Sequence, residues 1–178
     1  MVGQAGPDHR DRLDACEAIE SGAVFDPMRS GRKVVGVDID IRRHNREAIE
    51  GHPMASRIRM IEGSSIDAEV IAEVGRIAEG HERVLVCLDS NHTHGQVLAE
   101  LEGYSGLVTP GSYCVVFDTL IDDMPADLFS DRPWGPGDNP KTAVHEFLKG
   151  NPDFEIDRGI DHKILISVAT EGYLKRVR

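Results

Sequence analysis

The chain has 178 residues, 40% hydrophobic and 29% charged, enough apolar material for one core and too little length for two full domains. Twenty basic against 31 acidic residues give a formal net charge of −11, which argues against a nucleic-acid partner, because phosphate-backbone binding draws on clustered Lys and Arg. No run of about 18 apolar residues offers a membrane span and no apolar signal core opens the chain, while Cys16, Cys87 and Cys114 are odd in number and without paired spacing; these features point to a cytoplasmic, reducing setting and small-molecule chemistry.

Residues 1–32 mix charge, Gly and Pro around a short helical stretch near Asp11 to Ile19 and form a poorly defined N-terminal segment; the domain proper is expected over 33–178. It starts with "KVVGVDID", an apolar run ending in two acids, and continues into a helix from about Arg42 to Glu50. "RIRMIEGSS" reads as a second strand ending at Gly63. After it, Val70, Ile71, Val74 and Ile77 fall on one helical face. "RVLVCLD" is expected to be a central parallel strand, apolar on both faces, with Cys87 packed as a small hydrophobe. Thr93 and Gln96 have capping-box spacing ahead of a helix carrying Val97, Leu98, Leu101 and Tyr104.

"GSYCVVFD" supplies a fourth strand, followed by a Pro- and Gly-rich loop from Asp122 to Pro140 and a helix near Lys141 to Lys149. Two more strands are expected around Phe154 to Asp157 and Lys163 to Ala169, with "EGYLKRV" behind them. Alternating strands and helices of this kind predict an α/β fold, a doubly wound, mostly parallel sheet with an antiparallel C-terminal strand.

Ligands of open α/β sheets sit beyond the carboxyl ends of the strands. There the chain places Asp38 and Asp40, Asp89, and Asp118. Any one of them reads equally well as a helix cap, but four acids on three strands ask for more. Asp38 could accept hydrogen bonds from a ribose diol. Asp89 and Asp118 could share a hard cation through carboxylate oxygens. His92, in the turn after Asp89, could serve as a general base, against the plainer reading of a surface histidine. His94 reads as a solvated residue at the helix start. The Asp122–Pro140 loop, with Trp134, Gly135, Pro136 and Gly137, is a candidate lid over the site, or a plain surface excursion.

Taken in order, "KVVGVDIDIRRHN", "IEGSSID", "LDSNHTHGQVLAELEGY", "LVTPGSYCVVFDT" and "RPWGPGDNPKTAVHEFL" resemble the rhamnosyl O-methyltransferase and cephalosporin hydroxylase-type family, class I S-adenosylmethionine-dependent methyltransferases, over about Gly31 to Val177. The resemblance implies a Rossmann-like fold and transfer of a methyl group to a hydroxyl of a sugar or secondary metabolite, assisted by Mg²⁺. It implies Asp38 at the cofactor ribose, Gly63, Ser64 and Ser65 beside the adenine, Asp89 and Asp118 on the metal, and His92 taking the hydroxyl proton. Two departures stand out. Phe117 occupies a position where the family carries an acid, which should weaken Mg²⁺ binding, and "AIESGAVFDPMRSG" keeps only Ser21 and Gly22 of a Gly-rich turn, so the first strand and turn read as incomplete and the N-terminus as truncated. These departures leave room for a degenerate, non-catalytic binding or partner protein, or a component of a hydroxylase system. Sheet neighbours left without a first strand would also favour self-association into a homo-oligomer.

Overall fold

The computed structural model describes residues 32–178. The expected N-terminal helix and the incomplete strand and turn around Ser21 and Gly22 lie outside the described residues. Two compact units divide the chain, the first ending at Ser65 and the second running from Ile66 to Arg178.

In the first unit, strands β1 (Val34–Asp38) and β2 (Ile58–Glu62) pair in parallel, with Val34 opposite Ile58 and Asp38 opposite Glu62. Helix α1 (Arg43–Glu50) lies between them in sequence, as parallel pairing requires a crossover. Ile41, Ile49 and Ile61 are its buried apolar side chains, and Arg46 of α1 reaches Glu62 of β2 at 2.8 Å.

The second unit holds a four-stranded sheet in the order β3 (Val86–Leu88), β4 (Tyr113–Val116), β6 (Tyr173–Arg176), β5 (Phe154–Ile156). The β3–β4 pair is parallel; β6 runs antiparallel to both β4 and β5. Helices α2 (Ala68–Ala78), α3 (His94–Tyr104), α4 (Pro140–Gly150) and α5 (Arg158–Ile164) complete it. One apolar core joins Leu88, Val116 and Leu174 of the sheet to Val97, Leu101 and Tyr104 of α3 and to Val144 and Phe147 of α4, with Ile71 and Val74 of α2 packed at its margin. The fold is α/β with an antiparallel C-terminal strand, its strands hydrogen-bonded as a pair and a foursome.

Several local expectations change. The strand expected at Lys163 to Ala169 does not form: α5 occupies the segment up to Ile164, and the last strand is the Tyr173–Arg176 stretch of "EGYLKRV". Among the described residues β3 pairs with β4 alone and Cys87 is exposed, unlike the packed small hydrophobe expected there; Cys114, by contrast, is fully buried. Thr93 does sit at the N-cap of α3, but its side chain makes no cap hydrogen bond. It donates instead to Asn91 Oδ1 at 2.8 Å. Among the described residues, no helix is long and apolar enough to cross a membrane.

Candidate metal centre

β3 and β4 run parallel with Leu88 opposite Val116, and Phe117 N–H extends the ladder by donating to Leu88 O at 3.0 Å. Asp89 and Asp118 therefore leave the same end of neighbouring strands. Asp118 turns out of the sheet with a left-handed backbone, φ 55° and ψ 20°, and opens a 3₁₀ turn over Thr119–Asp123. Asp tolerates that conformation better than most residues, at a cost of about 1 kcal/mol. Thr119 beneath it is fully buried, and Leu120 N–H donates to Val168 O at 3.1 Å, which holds the turn down.

His92 is brought to the same place by a local turn. Asn91 Oδ1 accepts both Thr93 N–H at 2.9 Å and the Thr93 hydroxyl at 2.8 Å, closing a loop around residue 92. His92 Nε2 then lies 3.3 Å from Asp118 Oδ2. Asp89, His92 and Asp118 each offer one ligand atom, and the three atoms lie within 4.8 Å of one another. Two carboxylates and an imidazole at this spacing suit a divalent cation, with water or acceptor oxygens completing the shell. Phe117, one residue before Asp118, adds no donor.

The loop after Asp118 covers the histidine. Trp134 meets the His92 ring edge to face, centroids 4.9 Å apart and planes at 88°, and the Arg132 guanidinium lies 5.6 Å from the centroid of the indole. A tight turn fixes that tryptophan. Gly135 and Asp138 exchange backbone hydrogen bonds of 3.0 Å, with Gly137 at φ 90°. Asp122 Oδ1 accepts Gly137 N–H at 2.9 Å and the Asn139 amide at 2.6 Å. These bonds, the Gly137 amide foremost and then Asn139, hold the Asp122 carboxyl below its usual pKa.

Asn139, fully buried, caps α4 by accepting Lys141 N–H and Thr142 N–H, and its own N–H reaches Thr142 Oγ1, a complete capping box with Pro140 at the first helical position. Asp138 Oδ1 accepts His94 N–H at 2.7 Å. His94 is accordingly no solvated bystander: its Nδ1 lies 2.8 Å from Thr142 Oγ1 and its Nε2 3.2 Å from Glu146, tying α3 to α4. Sequence reasoning missed Asp122, Asp138 and Asn139 as the residues that set Trp134. The signal for Asn139 was present, since Asn-Pro followed by Thr142 is a helix-start pattern.

The candidate cofactor residues sit in the first unit and are described there alone. Asp38 ends β1, and its backbone oxygen accepts Gly63 N–H at 2.9 Å, so Asp38 and Gly63 are neighbours at the carboxyl ends of paired parallel strands, with Ser64 and Ser65 next in the chain. Asp38 Oδ1 also accepts Asp40 N–H at 3.0 Å. A carboxylate has about four acceptor sites, so one local bond leaves Asp38 able to take a diol. Asp40 itself is exposed and serves this turn.

Residues 16–177 match the family model described as rhamnosyl O-methyltransferase/CmcI. A curated rhamnosyl O-methyltransferase of Mycobacterium leprae is 27% identical over 152 residues, 84% of this chain and 62% of that protein. The rhamnosyl O-methyltransferase of Mycobacterium tuberculosis strain H37Rv is 29% identical over 122 residues, 67% of this chain and 47% of that protein. The chain thus spans about half to three fifths of the length of these relatives. Among solved structures, a MycE methyltransferase from the mycinamycin biosynthetic pathway, in complex with Mg, SAH and mycinamycin VI, aligns over 82% of this chain and 36% of its own, at 18% identity and a TM-score of 0.46.

Proposed function

Since the chain belongs to the rhamnosyl O-methyltransferase/CmcI family, we propose that it is an S-adenosylmethionine-dependent O-methyltransferase acting on a hydroxyl of a sugar or secondary metabolite. The observation that carries this reading is the meeting of Asp89, His92 and Asp118 at the ends of two parallel strands. The word rhamnosyl in the names of the curated relatives supports a sugar as acceptor. S-adenosylmethionine would supply the methyl group, and a divalent cation, Mg²⁺ in the simplest case, would acidify the acceptor hydroxyl.

The chain's own residues divide the remaining work. Asp89 and Asp118 hold the cation. With acceptor bound, His92 Nε2, 3.3 Å from Asp118 Oδ2, takes the hydroxyl proton. Trp134 fixes the ring plane and keeps water from that side. Asp38 accepts from the cofactor ribose, and Gly63, Ser64 and Ser65 border its adenine.

A second reading, a binding protein that keeps the fold without methyl transfer, is favoured by Phe117 and by the incomplete Gly-rich turn read at Ser21 and Gly22. Titration calorimetry with S-adenosylmethionine and S-adenosylhomocysteine separates the two. Binding of both in the micromolar range, weakened at least about tenfold by Asp38→Ala, is the expected result. Absence of heat with either ligand at millimolar concentration would sink the enzyme reading and leave the second.

A further inference from the structure

We propose that, before acceptor arrives, His92 is the third protein ligand of the cation at Asp89 and Asp118, and that its nitrogen makes the centre select Mn²⁺ and later first-row cations over Mg²⁺. The inference rests on the metal-assisted reading above and deepens it. Adjacent ligand atoms on an octahedral cation with bonds of about 2.1 Å stand about 3 Å apart, and opposite ones about 4.2 Å apart. His92 Nε2 and Asp118 Oδ2, at 3.3 Å, are already near the adjacent spacing, and all three donor atoms lie within 4.8 Å. The ring needs little movement to bind. It is held there by the Asn91–Thr93 turn on one side and the Trp134 ring on the other.

The donor set decides which cation gains. Phe117 brings no charge, so the protein offers two carboxylates and an imidazole. Mg²⁺ is hard, sheds water reluctantly and draws its affinity from oxygen donors, whereas imidazole strengthens binding of the first-row ions from Mn²⁺ onward. An imidazole in place of a third carboxylate therefore costs Mg²⁺ more than Mn²⁺. His92 acts as a ligand in the acceptor-free protein; its proton-accepting role belongs to the acceptor-bound state.

The test uses the full chain with Mn²⁺ or Mg²⁺ alone, without cofactor or acceptor. Trp134 is the only tryptophan and touches His92, so bound Mn²⁺ should quench its emission and give an affinity directly. Calorimetry should show Mn²⁺ binding at least about tenfold more tightly than Mg²⁺. Pulsed electron paramagnetic resonance of the Mn²⁺-loaded protein should show nitrogen coupling that changes isotope pattern when histidine is ¹⁵N-labelled, and His92→Gln should bring the Mn²⁺/Mg²⁺ ratio close to one. Mn²⁺ bound without nitrogen coupling, or equal affinity for the two ions, would overturn the inference while leaving an oxygen-ligated, Mg²⁺-assisted enzyme standing. Failure of both ions to bind would overturn it together with metal assistance, and the cofactor titration would still report separately on methyl transfer.

Discussion

His92 owes its position to three neighbours that act on different parts of it. Asn91 shapes its backbone turn, Asp118 faces Nε2, and Trp134 fixes the plane of the ring. In a methyl-transfer assay with a rhamnosylated acceptor, His92→Ala should lower kcat about 10²-fold or more with S-adenosylmethionine affinity unchanged, because a proton acceptor acts in the transition state and makes no cofactor contact. A variant with parental turnover would make His92 dispensable. Asp122 gives a second prediction with a defined sign. Its folded pKa lies below the unfolded value of about 3.9, so it stabilises the loop fully above that value and loses the contribution as pH falls through the folded pKa. Glu171, lowered mainly by the His145 hydrogen bond and aided by Arg158, has the same sign. Trp134 emission should therefore change as pH falls below about 4, and Asp122→Asn should flatten that acid limb. Asp89 and Asp118 stand out in the sequence because each directly follows an apolar run, and His92 because it lies in the turn three residues beyond Asp89. The Asp122–Asn139 bond spans 17 positions and leaves no local periodicity to read.

Elements were legible where one face meets the core and obscure where pairing decides. Val97, Leu101 and Tyr104 are all buried along α3, as their spacing requires. "KILIS", by contrast, has strand-like composition, yet Leu165 and Ile166 are 83% and 90% exposed. The partner positions on β4 are filled by Tyr173, Leu174 and Lys175 instead. Strand propensity measures fit to a neighbour, and the neighbour had been taken by a segment read as a tail. What admits that tail is Gly172, whose oxygen accepts Val116 N–H at 2.8 Å. A Cβ at Gly172 would stand 2.1 Å from Val116 O, a backbone atom of the central strand that cannot swing away. Gly172→Ala is therefore expected to destabilise the protein by about 2 kcal/mol or more, read as a lower denaturation midpoint. An unchanged midpoint would mean β6 does not enter the sheet there. Asn139→Ala should cost about 1 kcal/mol through the lost cap and, unlike Gly172→Ala, should also alter Trp134 emission in the folded protein.

At the scale of the whole chain, the two units differ in how much apolar surface secures them. The four-stranded sheet rests on a core that includes Leu101, Val108, Cys114, Val116, Val144 and Leu174, all fully buried. Among the described residues, the β1–β2 pair has Ile41, Ile49 and Ile61 as its buried apolar side chains, each still slightly exposed. Among the described residues, that unit offers a two-stranded sheet with one short helix, and proteins open first where few apolar contacts hold the ladder. Native-state hydrogen exchange should therefore show the amides of Val34–Asp38 and Ile58–Glu62 opening at lower free energy than those of Tyr113–Val116 and Tyr173–Arg176. The same measurement probes the cofactor assignment from a distance. Ligand that binds only the closed form raises protection by RT ln(1 + [L]/Kd), about 2.7 kcal/mol at a hundredfold excess over Kd. If Asp38, Gly63, Ser64 and Ser65 hold S-adenosylmethionine, saturating cofactor should slow exchange in β1 and β2 by roughly that factor while changing β6 less. Protection that rises only in β4 and β6, or equal protection of the two units without ligand, would move the cofactor site away from Asp38 and remove the difference in stability from which the expectation is drawn.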